Sequence, residues 1–165
     1  MENNERIPLT SSILQDVRIL FRTIQTHSRK VEASCGIGDS KLWLLWEISH
    51  NPSARVSDLA RKLGVHVSTC SNLLDALQKH GLIQRGRGEQ DQRQVKVRLT
   101  TAGEQLLASA PKPAQGALNA ALGRMELIEL QNLHTSLTLL VQQLGVSTPA
   151  LGQVPLGEPL TEGKT

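Results

Sequence analysis

Between Val56 and Leu99 the hydrophobic period changes from helical to strand-like, and this change constrains the fold more than any other feature of the chain. Up to Gly81 the apolar residues recur at helical steps. Val56–Gly64 reads as a short helix, with Ser57 as its N-cap and Gly64 where a helix stop needs a positive φ. After a short link, a second helix spans about Ser68 to His80. Cys70, Leu73, Leu74 and Leu77 form its inward stripe, while Ser68, Thr69, Ser71, Asn72, Asp75 and Lys79 point the other way. Gly81 ends it. The period then falls to 2: Leu82–Arg85 is a strand, residues 86–93 are a polar glycine-bearing loop, and Val95, Val97 and Leu99 alternate with Lys96 and Arg98 on the return.

Helices flank this unit on both sides. Ile13, Val17, Leu20, Ile24, His27 and Val31 make one apolar seam, with Ser11 or Ser12 as the cap. Gly36 and Gly38 break that helix. Asp39 or Ser40 then caps a short one, Lys41–Ser49, whose Leu42-Trp43-Leu44-Leu45-Trp46 run is apolar all round and therefore buried on most sides. Asn51-Pro52 ends it. Beyond the hairpin, Thr101-Ala102-Gly103-Glu104 matches a capping box. Pro111-Lys112-Pro113 interrupts the helix that follows, and helix resumes near Ala114. Leu127, Leu130, Leu133, Leu137, Leu140 and Leu144 form a last seam, closed by Gly145. The expected organisation is a flexible N-terminus (1–9), a helical dimerisation region (10–35 and 101–145), a lobe containing the hairpin (39–100) and a flexible tail (146–165). The fold class is mainly α with a small β-hairpin.

Composition narrows the function. The chain has 165 residues, one domain's worth, of which 2% are aromatic: Phe21, Trp43 and Trp46, with no tyrosine. Leucine appears 27 times and must build the core. Three aromatics cannot supply the stacking platforms of a single-strand nucleic-acid binder, and a tyrosine acid or base is excluded. No apolar run is long enough to span a membrane, the N-terminus does not read as a signal peptide, and two cysteines are too few for a disulfide framework. A reduced, cytoplasmic protein is expected. Arg55 to Arg98 holds nine basic and four acidic residues, whereas the remainder is slightly acidic. The positive field is therefore local, as in a nucleic-acid footprint, although a solvated charged face would look the same.

Two short helices joined by a tight turn, followed by a hairpin with a basic loop, make a winged helix-turn-helix lobe. Its second helix offers small hydrogen-bonding side chains that can approach base edges in a major groove. Its N-terminus favours phosphate. Arg87 and Arg93, on the extended loop, can reach an adjacent minor groove. The alternative is a helical domain with a solvated hairpin.

The same residues resemble the multiple antibiotic resistance regulator (MarR) family of bacterial transcription factors. The resemblance is carried by Val56–Val65, Ser68–Leu77, Gly81-Leu82-Ile83 and, most specifically, Asp91-Gln92-Arg93 followed by Leu99-Thr100-Thr101-Ala102-Gly103. It implies a homodimer whose first and last helices intertwine, with two winged lobes gripping a pseudo-palindromic double-stranded operator. It also implies that Arg93 enters the minor groove with Asp91 positioning it, and that Ser68, Thr69, Ser71 and Asn72 face the major groove. Many members carry arginine where this chain has Asn72, and asparagine favours adenine where arginine favours guanine. His66 stands where a serine cap is common.

Family members often respond to a small aromatic acid or phenol, or to oxidation of a cysteine. His27, Trp43 and Trp46 could line an apolar ligand pocket beside the lobe, although core packing is the commoner role for such tryptophans. Cys35, in a glycine-flanked link downstream of Arg29 and Lys30, is the redox candidate. Cys70 faces inward and reads as an inert thiol. The histidines and cysteines form no metal-ligand cluster, and no catalytic pair or nucleotide loop stands out, so no metal, cofactor or enzymatic activity is expected. The expected function is a DNA-binding regulator, a repressor released by a small aromatic or phenolic ligand. A redox-sensing repressor using Cys35 and a winged-helix protein-interaction module are the alternatives.

Overall fold

The computed structural model describes residues 2–87, 95–145 and 149–156. The first helix, α1 (Glu2–Cys35), begins well before the serines that the sequence nominates as its cap. Residues 2–9 are helical, and Pro8 lies inside the helix. The serine and threonine hydroxyls explain the difference, because they bond backwards along the helix. Thr10 Oγ1 donates to the carbonyl of Arg6 (2.8 Å) and Ser12 Oγ to that of Pro8 (3.1 Å). A residue satisfied in this way is compatible with a helix interior and marks no boundary.

Five further elements make the lobe's helical half and its hairpin: α2 (Asp39–His50), α3 (Val56–Leu63), α4 (Val67–Lys79) and the strands β1 (Ile83–Arg87) and β2 (Val95–Leu99). Gly64 (φ 67°) and Gly81 (φ 70°) adopt the left-handed conformation where the sequence places the two helix stops. The start of α3 is earlier than expected. Its N-cap is Arg55, not Ser57, because the Asp58 carboxylate accepts the Arg55 backbone N–H (3.3 Å). Helix α2 is capped by Gly38 rather than by Asp39 or Ser40, and the Asp39 carboxylate instead accepts a hydrogen bond from Ser28 Oγ on α1 (2.6 Å).

The strands are antiparallel, with Ile83 opposite Leu99 and Arg85 opposite Val97. Ile83 and Val97 turn inward and are buried. They close a core made mainly of leucine: Leu42, Leu44 and Leu45 from α2, Leu59 from α3, and Leu74 and Leu77 from α4, with Val31 of α1 at its edge. Each fully buried leucine contributes roughly 1.5–3 kcal/mol of transfer free energy, and this chain reaches that without a buried aromatic.

Helix α5 (Thr101–Ser109) joins the lobe through one tightly built corner. The cap is Thr100, one residue before the expected box. Thr100 Oγ1 accepts the Gly103 N–H (3.1 Å) and donates to the Gly81 carbonyl (2.7 Å), tying the helix start to the α4 stop. After the Pro111–Pro113 break, helix resumes at Ala117 rather than near Ala114, as α6 (Ala117–Leu122), followed by α7 (Leu127–Gln143). No residue of α7 is buried within the chain. Within 146–165, which the sequence reads as a flexible tail, Pro149–Gln153 form a short 3-10 helix. Among the described residues no helix is long and apolar enough to cross a membrane.

Candidate nucleic-acid interface and junction cavity

Helix α4 packs against α3 and β1, so one side of it is fixed by the core. Cys70, Leu73, Leu74 and Leu77 are buried on that side. Ser68 and Asn72 are exposed, and Thr69 and Ser71 are half-buried beside them. The cap residue His66 makes no side-chain hydrogen bond to the first turn, which leaves those N–H groups open to an anion such as a backbone phosphate. Of the lobe's cations, Arg55, Arg61, Lys62, Lys79 and Arg98 are exposed.

Arg85 holds the hairpin against this helix, a role the sequence did not single out. Its guanidinium pairs with Asp75 (2.7 Å) and donates to the Ser71 carbonyl (3.3 Å). Both partners lie on α4, so the base of the wing and the outward-facing helix move as one piece. Arg87 ends β1, and Asp91 and Arg93 lie outside the described residues.

On another side of the lobe is a cavity of about 320 Å³. Its walls come from α1 (Ile24, His27), α2 (Asp39, Trp43), the end of α3 (Lys62, Leu63), the start of α6, and the C-terminal segment. It therefore touches both the lobe and the helices outside it. Two of the three expected ligand residues, His27 and Trp43, meet here. The third, Trp46, does not: it stacks on His50 (ring centroids 4.2 Å apart) and lines a separate groove with Arg98 and Lys112. Residues three apart are neighbours on a helix face, which is why the sequence groups the two tryptophans; the elements packed around α2 divide them between two cavities. His27 Nε2 and Asp39 Oδ1 are buried without hydrogen-bond partners.

One buried carboxylate organises the cavity's lobe-side wall. Glu47 accepts from Trp43 Nε1 (3.3 Å), Lys62 Nζ (2.6 Å) and Asn51 Nδ2 (3.2 Å). A glutamate directly after the apolar run Leu42–Trp46, with Trp43 and Asn51 at i−4 and i+4, was the available sequence signal for this cluster. Lys62, the partner from α3, lies fifteen positions away and was not legible.

Both thiols have their pKa raised. Burial alone shifts Cys35, raising its pKa above the ordinary thiol value. Burial pushes Cys70 up to about 11, against a smaller downward pull from Arg85. Cys35 should therefore alkylate with iodoacetamide at pH 7.5 several times more slowly than free cysteine. A rate equal to or faster than that of free cysteine would favour the redox alternative.

Comparison with known proteins agrees with this geometry. The MarR family model matches residues 39–95, from the first residue of α2 to the first of β2. The uncharacterized HTH-type transcriptional regulator YfiV of Bacillus subtilis is 29% identical over 134 residues, which cover 74% of this chain and 84% of YfiV. The HTH-type transcriptional repressor MdtR of the same organism is 27% identical over 96 residues, covering 58% of this chain and 62% of MdtR. Among solved structures, the complex of S. aureus MepR with DNA has a similar fold, with a TM-score of 0.55 at 22% identity over 79% of this chain and 94% of MepR. The matched segment, the similarity to named regulators and the helix-hairpin architecture converge: residues 39–95 form a MarR-family domain, and the chain around it is similar to HTH-type transcriptional regulators.

Proposed function

We propose that this regulator is a homodimeric repressor whose grip on a pseudo-palindromic operator is loosened by a small aromatic or phenolic ligand in the junction cavity. The observation that carries the ligand reading is the position of that cavity, walled by α1, α2, α3 and α6 together, with the unpartnered His27 Nε2 and the ring of Trp43 at its boundary. A molecule bound there would favour one arrangement of lobe and outer helices over another, and an effector shifts an equilibrium only through such differential contact. The division of labour follows: 39–100 as the DNA lobe, 10–35 and 101–145 as the dimer region. The repressor MdtR among its relatives supports the sign of regulation.

At the DNA, Ser68, Thr69, Ser71 and Asn72 are the proposed major-groove readers, and Arg87 and Arg93 the wing cations, with Asp91 orienting Arg93. The test is selection of bound duplexes from a random pool, followed by titration of the selected operator with a panel of simple phenols and phenolic acids. Arg93→Ala should weaken operator binding about tenfold or more and reduce the slope of log affinity against log salt by about 1. A selected pool without a shared half-site, or an Arg93→Ala affinity equal to the parent's, would instead favour a protein-interaction module.

A further inference from the structure

Within the segment that the sequence reads as a flexible tail, Gly152, Val154, Pro155 and Leu156 line the junction cavity together with side chains of the lobe. The two sides are held very differently. The lobe side is anchored: Trp43 and Lys62 both bond the buried Glu47, and Asp39 is bonded by Ser28. Among the described residues, no hydrogen bond or ion pair ties 149–156 to any other element. Beyond its own 3-10 turn, its backbone bond is internal, from Val154 N–H to the Leu151 carbonyl (3.4 Å). Its apolar side chains are also incompletely docked, with Leu151 45% and Leu156 61% exposed. A segment held by partial apolar contact alone opens at low free-energy cost, while a wall fixed by a buried carboxylate network does not.

We propose that residues 149–156 are a movable strap that closes the junction cavity, and that Val154, Pro155 and Leu156 supply apolar contact to the aromatic body of a bound ligand. The strap lifts to admit the ligand and reseats over it, so the ligand is held between an anchored polar wall and a mobile apolar one. Such a strap selects for molecules with a flat apolar face toward it and a hydrogen-bonding edge toward His27. This proposal rests on reading the cavity as the effector site.

Tryptophan fluorescence tests the strap without any ligand, using the full chain. In a Trp46→Phe background the remaining Trp43 reports on the cavity; in a Trp43→Phe background Trp46 reports on the lobe. Val154→Asp with Leu156→Asp places two charges against the cavity wall and should lift the strap. The acrylamide quenching constant of Trp43 should then rise about threefold while that of Trp46 stays unchanged, since local opening exposes one region and leaves the global fold intact. An unchanged Trp43 constant, or a rise shared by both tryptophans, would overturn the strap. If Trp43 alone becomes accessible but no phenol or phenolic acid affects operator binding, the strap stands and the effector reading fails. If such a compound releases the operator but Trp43 accessibility is unaltered, the effector reading stands and the strap fails.

Discussion

Gly103→Ala should destabilise the lobe by about 3 kcal/mol or more, an exceptional loss for a single methyl group. The added Cβ would stand 2.1 Å from the Leu82 carbonyl oxygen and 3.1 Å from its carbon. Both are backbone atoms, so no side chain can rotate away. That oxygen also accepts the Thr100 N–H (3.0 Å), and the Leu82 N–H is held by the Leu77 carbonyl (3.0 Å). Relieving the clash means either lifting α5 off the hairpin or breaking the bonds that align β1 with the end of α4. Gly86→Ala is the matched control. Gly86 has a β-compatible backbone, and nothing lies within 4 Å of where an added methyl would sit, so that change should stay within about 0.5 kcal/mol. Urea unfolding monitored at the tryptophans compares the two, and equal midpoints would refute the steric argument.

Leu137→Glu combined with Leu140→Glu should halve the mass in sedimentation and lower operator affinity by at least about 100-fold, while leaving lobe stability nearly unchanged. The reasoning begins with exposure. Leu137 is 50% and Leu140 45% exposed in the single chain, and Phe21, Leu20 and Val17 on α1 are similarly bare. Apolar surface on this scale marks an interaction site. Because α7 buries nothing within its own chain, the charges cost the monomer little, so their effect isolates the association. A two-lobed grip on successive half-sites is lost with the dimer. Unaltered mass together with unaltered operator affinity would count against the dimer.

The lobe was legible because its signals are local. Gly64 and Gly81 each announce a helix stop by one residue type, and the Val95–Leu99 alternation is self-contained. Caps were displaced where a side chain had more than one option. Thr100 reaches both Gly103 and Gly81, so it outcompetes the Thr101 box, and Asp58 reaching back to Arg55 starts α3 earlier than Ser57 would. The start of α1 was hidden because hydroxyls that satisfy themselves against earlier carbonyls look like caps. At the candidate site, His27 and Trp43 line one cavity and Trp46 another, a division set by the elements packed on α2, which the sequence of α2 alone does not contain. The C-terminal wall could not be read at all, because the segment has no hydrophobic periodicity.

Lys62 has a double position whose consequence concerns signal length. Its side chain is part of the cavity wall, its ammonium is bound to Glu47 beneath that wall, and its backbone is the penultimate residue of α3. Helix α3 packs directly on α4. If the cavity takes the proposed effector, a displacement there would already be a displacement of the helix that packs on α4. The proposed relay would then be one helix long, with no chain of intermediates whose separate failures could uncouple input from output.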